Sequence, residues 1–216
     1  MDENNVVTSH NSATSPYAIP FAIVIAGLAI SAAVYFGNNN KGVAALQQGT
    51  AAPQAINLDP VVSTDHIIGN LNAKIIIVEY SDLECPFCQM FHKTMNQIMN
   101  EYGKDGQVAW VYRHFPLPMH TKSPKESEAA ECANKLGGNT KFWEFVNRIF
   151  DVGSMNNSLD PAELSKTAGV IGLDVSAFDA CLSGGTMKSI IDASLVSGQK
   201  AGVQGTPHSI VLVNNK

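Results

Sequence analysis

Residues Lys74–Tyr80 read KIIIVEY, a continuous β-branched run of strand length. Such a run fits a strand buried on both faces of a sheet, because a half-exposed strand would alternate apolar and polar residues. After Ser81–Glu84 comes Cys85-Pro86-Phe87-Cys88, and apolar residues then recur at Phe87, Phe91, Met95, Ile98 and Tyr102. That spacing is helical, and Gly103 is a fitting stop. Pro86 suits the first helical turn, where its missing N–H costs no hydrogen bond. A buried strand therefore turns directly into a helix that carries a cysteine pair at its start.

Gln107–Phe115 (QVAWVYRHF) alternates like a second strand, stopped by Pro116 and Pro118. A helical stretch from about Pro124 to Cys181 follows, with breaks expected at Gly137-Gly138, Gly153–Ser158 and Gly172. Asp160 reads as an N-cap with Pro161 at the first helical position. A further helix over Thr186–Ala201 leads into Gly205-Thr206-Pro207-His208 and a strand, Ser209–Val213. Ile56–Val62 is expected to add a strand at the front. The order of strand, helix, strand, helices and strand is an α/β layout with a large helical insertion.

A C-x-x-C motif alone is ambiguous between a redox dithiol and a zinc site. Here Cys85 stands at a helix N-terminus, where unpaired N–H groups and the helix dipole favour an anion. The thiolate is the reactive form of cysteine, and such a position lowers its pKa below about 8.5. Cys85 is therefore expected to attack and Cys88 to resolve. A zinc clasp needs two further ligands. His92 lies one helical turn after Cys88, but there is no second C-x-x-C. Otherwise His92 packs or faces solvent.

The charge balance, 14 Lys+Arg against 19 Asp+Glu for a net −5, excludes the basic surface expected of a nucleic-acid binder. With 45% hydrophobic and 15% charged residues in 216, the chain suits one folded domain plus extensions. Residues 1–40 contain no Lys or Arg. Polar residues 1–16 read as disordered. Tyr17–Phe36 (YAIPFAIVIAGLAISAAVYF) carries no charge and is long enough, at ~20 residues, to span a bilayer. Signal-peptide h-regions are shorter and follow a positive segment, so 17–36 is read as an uncleaved anchor. Residues 37–55 are small and polar, a flexible linker.

The segment IVEYSDLECPFC (Ile77–Cys88), the distant Thr206-Pro207 and the helices between resemble the DsbA-like thiol–disulfide oxidoreductases of the thioredoxin superfamily. The resemblance covers about residues 56–216. It implies a thioredoxin-like fold with a helical insertion, here behind one N-terminal transmembrane helix. It implies a cis Pro207 against the active-site cysteines, with Thr206 and Pro207 offering backbone to an extended substrate. Pro86 and Phe87 would tune the motif, and Glu79 would be a buried acid exchanging a proton with Cys88.

Cys132 and Cys181 match cysteines that form a structural disulfide in some of these proteins. That bridge would point to an oxidising compartment and so to an extracytoplasmic domain on a single-pass anchor. The implied activity is disulfide donation to reduced or unfolded exported proteins, without a cofactor or resident metal. The implied partner is a quinone-linked membrane reoxidase of the DsbB or VKOR type. The short polar linker leaves no room for a dimerisation domain, so a monomer is expected. An isomerase or reductase on the same fold, or a non-catalytic tethered module with a zinc clasp, are the competing readings. Arg113, His114 and His120 read as solvated loop residues or substrate contacts, and His208 as a neighbour of the thiolate. The family pattern continues past Asn214-Asn215-Lys216, so the final strand and helix are expected to be missing, leaving Ser209–Val213 an open edge.

Overall fold

The computed structural model describes residues 56–153 and 155–214. The segments 1–16, 17–36 and 37–55 lie outside the described residues. Among the described residues no helix is long and apolar enough to cross a membrane. The strands are β1 (His66–Ile68), β2 (Ile75–Ser81), β3 (Val108–His114) and β4 (His208–Val213), in the spatial order β1-β3-β2-β4. β2 and β3 run parallel, and β1 and β4 pair antiparallel at the edges.

Ile75–Tyr80 of the KIIIVEY run, with Ser81, form β2, which is exposed at Ile75 and buried on both faces toward its C-terminal end. One face places Ile76, Val78 and Tyr80 with Ala109, Val111, Phe115 and Ile210. The other places Trp110 and Tyr112 of β3 against apolar residues of the helices. These helices are α1 (Pro86–Ile98), α2 (Ser123–Val152), α3 (Ala162–Val170) and α4 (Val175–Ser183). A last helix, α5 (Lys188–Lys200), covers the first face. There Gly198 lets helix and sheet close up, since a Cβ on it would stand 2.5 Å from Cδ2 of Phe115 and 3.0 Å from Cδ1 of Tyr80.

The boundaries differ from expectation in instructive ways. The first helix ends at Ile98, and a π-helical turn (Met99–Gly103) completes it. The expected break at Gly137-Gly138 is a kink inside α2, with Gly138 at φ 72 and ψ −171, a conformation glycine adopts readily. Asp160 accepts the Ala162 N–H at 2.9 Å, but Pro161 is the residue at the cap, so α3 begins one position later than expected. Asp174 caps α4 by accepting the Ala177 N–H at 3.0 Å. Ile56–Val62 forms no strand. The Arg113 guanidinium takes the carbonyls of Asp59 and Pro60 at 3.1 Å each, and Pro60 has no N–H to offer a ladder.

Cys132 on α2 and Cys181 on α4 are joined in a disulfide, with their Cα atoms 5.9 Å apart. β4 is an edge strand on which Ile210 is buried while Val211 and Val213 are about half exposed.

Candidate functional site

The turn from β2 into α1 is held from below by two acids. Asp82 Oδ1 accepts the Glu84 N–H at 2.8 Å, and its Oδ2 accepts the Leu117 N–H at 2.7 Å and faces Nδ1 of His120 at 2.8 Å. The Glu84 carbonyl accepts the Asn156 N–H at 2.8 Å, and its carboxylate accepts the Asn157 N–H. To reach Glu84 the chain at Met155, Asn156 and Asn157 is left-handed, with φ of 56, 55 and 63. With the loop clamped in this way, Cys85 becomes the extended N-cap of α1 (φ −82, ψ 121) and Pro86 follows at the first helical position.

Cys85 and Cys88 are free thiols. Cys85 Sγ lies 3.5 Å from the Thr206 carbonyl oxygen, and the Thr206–Pro207 peptide is cis. The Cys88 thiol donates toward Cys85 and outweighs its burial. Together with the Cys88 and Phe87 N–H groups and the Thr206 hydroxyl, it brings Cys85 down to about 5. Cys88 moves the other way. Its complete burial pushes it far up, and the Cys85 sulfur adds to the rise. The Asp82 N–H points at Cys88 Sγ from 3.5 Å and offsets little of this. The pair therefore holds one proton on Cys88 and leaves Cys85 as the thiolate.

Behind Cys88 lies a buried polar cluster. Trp110 Nε1–H donates to Glu79 Oε2 at 2.8 Å. Burial raises Glu79 to about 7, against the pull of Ser81 and Trp110. Glu79 Oε1, Ser81 Oγ and the Tyr112 hydroxyl are buried without a hydrogen-bond partner. Ser81 makes no short contact of its own, yet it lies close enough to lower both Glu79 and Cys88. It lies near both the acid and the inner thiol without a hydrogen bond to either. Glu79 and Ser81 are two apart on β2 and so share a face, and Glu79 stands opposite Tyr112 in the β2–β3 register. Alternation on β2 was enough to suggest Ser81. Trp110 and Tyr112 needed the register, which no single segment carries. A further carboxyl pair, Glu84 and Glu126, lies at the foot of the turn, where burial and then Glu84 raise Glu126 to about 9.

Several expected site residues are placed elsewhere. Arg113 is neither solvated nor at the thiols: it forks onto Asp65 at 3.0 and 3.1 Å and reaches the Tyr80 hydroxyl at 3.2 Å. His114 is buried on Glu131, and His120 is buried on Asp82. The strand β3 runs on through Arg113 and His114 into the interior, which is why a loop reading fails for them. His92 is packed among Trp110, Trp143 and Phe150, with Nε2 on Asn147 Oδ1 at 2.5 Å. His208 opens β4 opposite Tyr80. Phe87 and Met90, on the first turns of α1, are exposed at 63% and 57% and form an apolar rim beside the cysteines.

The thioredoxin family matches residues 62–216, most of the chain and all of its site. This chain belongs to the thioredoxin family. Among solved structures, the thioredoxin domain is similar to DsbA2 of Pseudomonas aeruginosa at 26% identity and a TM-score of 0.59, covering 72% of this chain and 84% of that one. It shares the fold of oxidised BdbD from Bacillus subtilis, with 22% identity and a TM-score of 0.64 over 74% of this chain and 87% of that one. Among curated proteins it is 31% identical over 157 residues to the Na(+)/H(+) antiporter NhaA 3 of Salinispora tropica, covering 70% of this chain and 22% of the antiporter. NhaA 1 of Mycolicibacterium vanbaalenii is 31% identical over 115 residues, 53% of this chain and 18% of the antiporter. The chain thus spans about a fifth of the length of these curated relatives.

Proposed function

We propose that this thioredoxin domain is a thiol–disulfide oxidoreductase that donates a Cys85–Cys88 disulfide to reduced exported proteins. The observation that carries the reading is that Cys85 caps the N-terminus of α1 beside the Thr206 carbonyl while Cys88 is buried behind it, which moves the two thiols in opposite directions, Cys85 down to about 5 and Cys88 up. A thiolate stabilised in the reduced form makes the corresponding disulfide a stronger oxidant.

A substrate thiolate attacks Cys85 Sγ of the disulfide. A Cys85–substrate bond forms, the Cys85–Cys88 bond breaks, and Cys88 leaves with the electron pair. Cys88 is buried and cannot stay charged, so it takes a proton. Glu79, buried beneath the motif and raised to about 7, is the nearby acid that can give it. A second substrate thiolate then attacks the substrate sulfur, forms the substrate disulfide and releases Cys85 as the thiolate. Two electrons pass from the substrate dithiol to the enzyme. The Thr206 carbonyl and the Phe87–Met90 rim suit an extended, partly apolar substrate segment.

The Cys132–Cys181 disulfide supports an extracytoplasmic setting, and the uncharged residues 17–36 support a single membrane anchor. Tethering there would bring the reduced domain to a quinone-linked reoxidase of the DsbB or VKOR type. The test is to mix oxidised protein with a reduced dithiol peptide. One peptide disulfide per protein is expected, and a Cys88→Ala variant given a single-cysteine peptide as its mixed disulfide with thionitrobenzoate should release thionitrobenzoate and hold the peptide in a disulfide on Cys85. Absence of both peptide oxidation and adduct rejects the reading.

A further inference from the structure

Outside the thiol site, two imidazoles and a carboxylate meet in the interior. His66 on β1 and His114 at the end of β3 place their Nε2 atoms 2.7 and 3.1 Å from one oxygen, Oε1 of Glu131 on α2. The three ligand atoms lie within 4.8 Å of one another, and all three residues are buried. The fold brings them together simply. His66 stands opposite Tyr112 in the β1–β3 ladder, so His114 is its diagonal neighbour on the same face.

Each member is held in place by its surroundings. The His66 ring stacks on Phe142 at 3.4 Å and 5°, and His114 is edge-on to Phe142 and Tyr112. Glu131 is anchored by the disulfide of the next residue, Cys132. Such support is what keeps a ligand set in its productive geometry.

A network built only for hydrogen bonding would place one imidazole on each carboxylate oxygen. Here both converge on Oε1, while Oε2 has Asn134 Nδ2 at 3.5 Å and His114 Nδ1 is buried without a partner. The same three residues line a cavity of about 260 Å³, room for several waters. We infer that His66, His114 and Glu131 form a binding site for a divalent transition metal of the zinc class, with the remaining coordination position open to that cavity. Two imidazole nitrogens and one carboxylate oxygen suit zinc, whereas calcium and magnesium prefer all-oxygen sets. Around bonds of about 2.0–2.2 Å, tetrahedral ligands stand roughly 3.3 Å apart. The existing 2.7 and 3.1 Å contacts to Oε1 reach that spacing with shifts well under an ångström, and the two imidazole nitrogens, within 4.8 Å of each other, close toward it on binding.

The test uses the full chain with Cys85–Cys88 oxidised, so that its thiols cannot ligate, after treatment with chelator. Cobalt(II) is titrated and read by visible absorption. The site predicts one cobalt per chain, ligand-field bands of a four- or five-coordinate ion without sulfur charge transfer, and displacement by zinc. Glu131→Gln keeps an acceptor for both imidazoles but removes the anionic ligand. It should weaken binding by more than the roughly 10–100-fold that loss of an outer partner costs. Should that variant not fold, histidine ring resonances of the unmodified protein decide. Zinc should move those of His66 and His114 and leave His208 in place. No stoichiometric cobalt, binding unchanged in Glu131→Gln, or unmoved His66 and His114 resonances would overturn the site and leave a hydrogen-bonded triad.

Discussion

Cys85 and Glu79 depart from their ordinary values in opposite directions, and oxidation state separates their effects. In the reduced protein Cys85 falls from 9.0 to about 5. Its alkylation should be half-maximal near pH 5, several units below a free thiol, as read by the pH profile of iodoacetamide labelling. Between those two values the folded reduced chain holds fewer protons than the unfolded one, so its stability rises with pH. The contribution is complete above pH 9 and is lost as pH falls through about 5. Oxidised protein, with no thiol to titrate, lacks it. Glu79 is raised from 4.5 to about 7 by burial. Its protonated form favours the fold below 4.5, and that contribution is lost as pH rises through 7. Glu79→Gln in the oxidised protein should therefore gain on the unmodified chain between pH 4 and pH 8, by up to about 3 kcal/mol. Urea unfolding at both pH values checks this, and the same variant should slow release of Cys88 in peptide oxidation.

At the scale of elements, the contact between α5 and the sheet rests on the absence of a side chain at Gly198. Gly198→Ala improves helix propensity by about 1 kcal/mol. Its Cβ would nevertheless meet Phe115 Cε2 at 2.7 Å. Overpacking of that kind costs about 1–3 kcal/mol, so the variant should be no more stable than the parent and its urea midpoint should fall. Which elements could be read from the chain follows from what specifies them. β2 and α1 are written locally, by the β-branched run and by Pro86 at a helix start, and they form where expected. The front segment misleads because Ile56–Val62 has apolar residues of strand character, yet its carbonyls at Asp59 and Pro60 are taken by Arg113 from a distant strand. Arg113, His114 and His120 misled for a related reason. Their partners Asp65, Glu131 and Asp82 lie 17 to 48 residues away, and only the assembled sheet brings them together.

For the molecule as a whole, the disulfide between α2 and α4 ties the helical insertion together across 49 residues. Closing a loop of that size contributes about 4 kcal/mol in the chain-entropy account. Replacing Cys132 and Cys181 together by Ala should remove a stabilisation of that order, seen as a lower thermal midpoint with the Cys85–Cys88 site still reactive. The thiol site itself was legible in outline, since Cys85-x-x-Cys88 and Thr206-Pro207 carry it in sequence and Ser81 follows Glu79 by two on β2, while Trp110 and Tyr112 join it only through strand register. The central claim is that this geometry makes the Cys85–Cys88 disulfide a donor. Its most direct test is the reduction potential of that pair, measured by thiol trapping in glutathione buffers. The account predicts a value near roughly −120 mV, that of a strong disulfide oxidant. A value near roughly −270 mV, typical of a thioredoxin reductant, would contradict it.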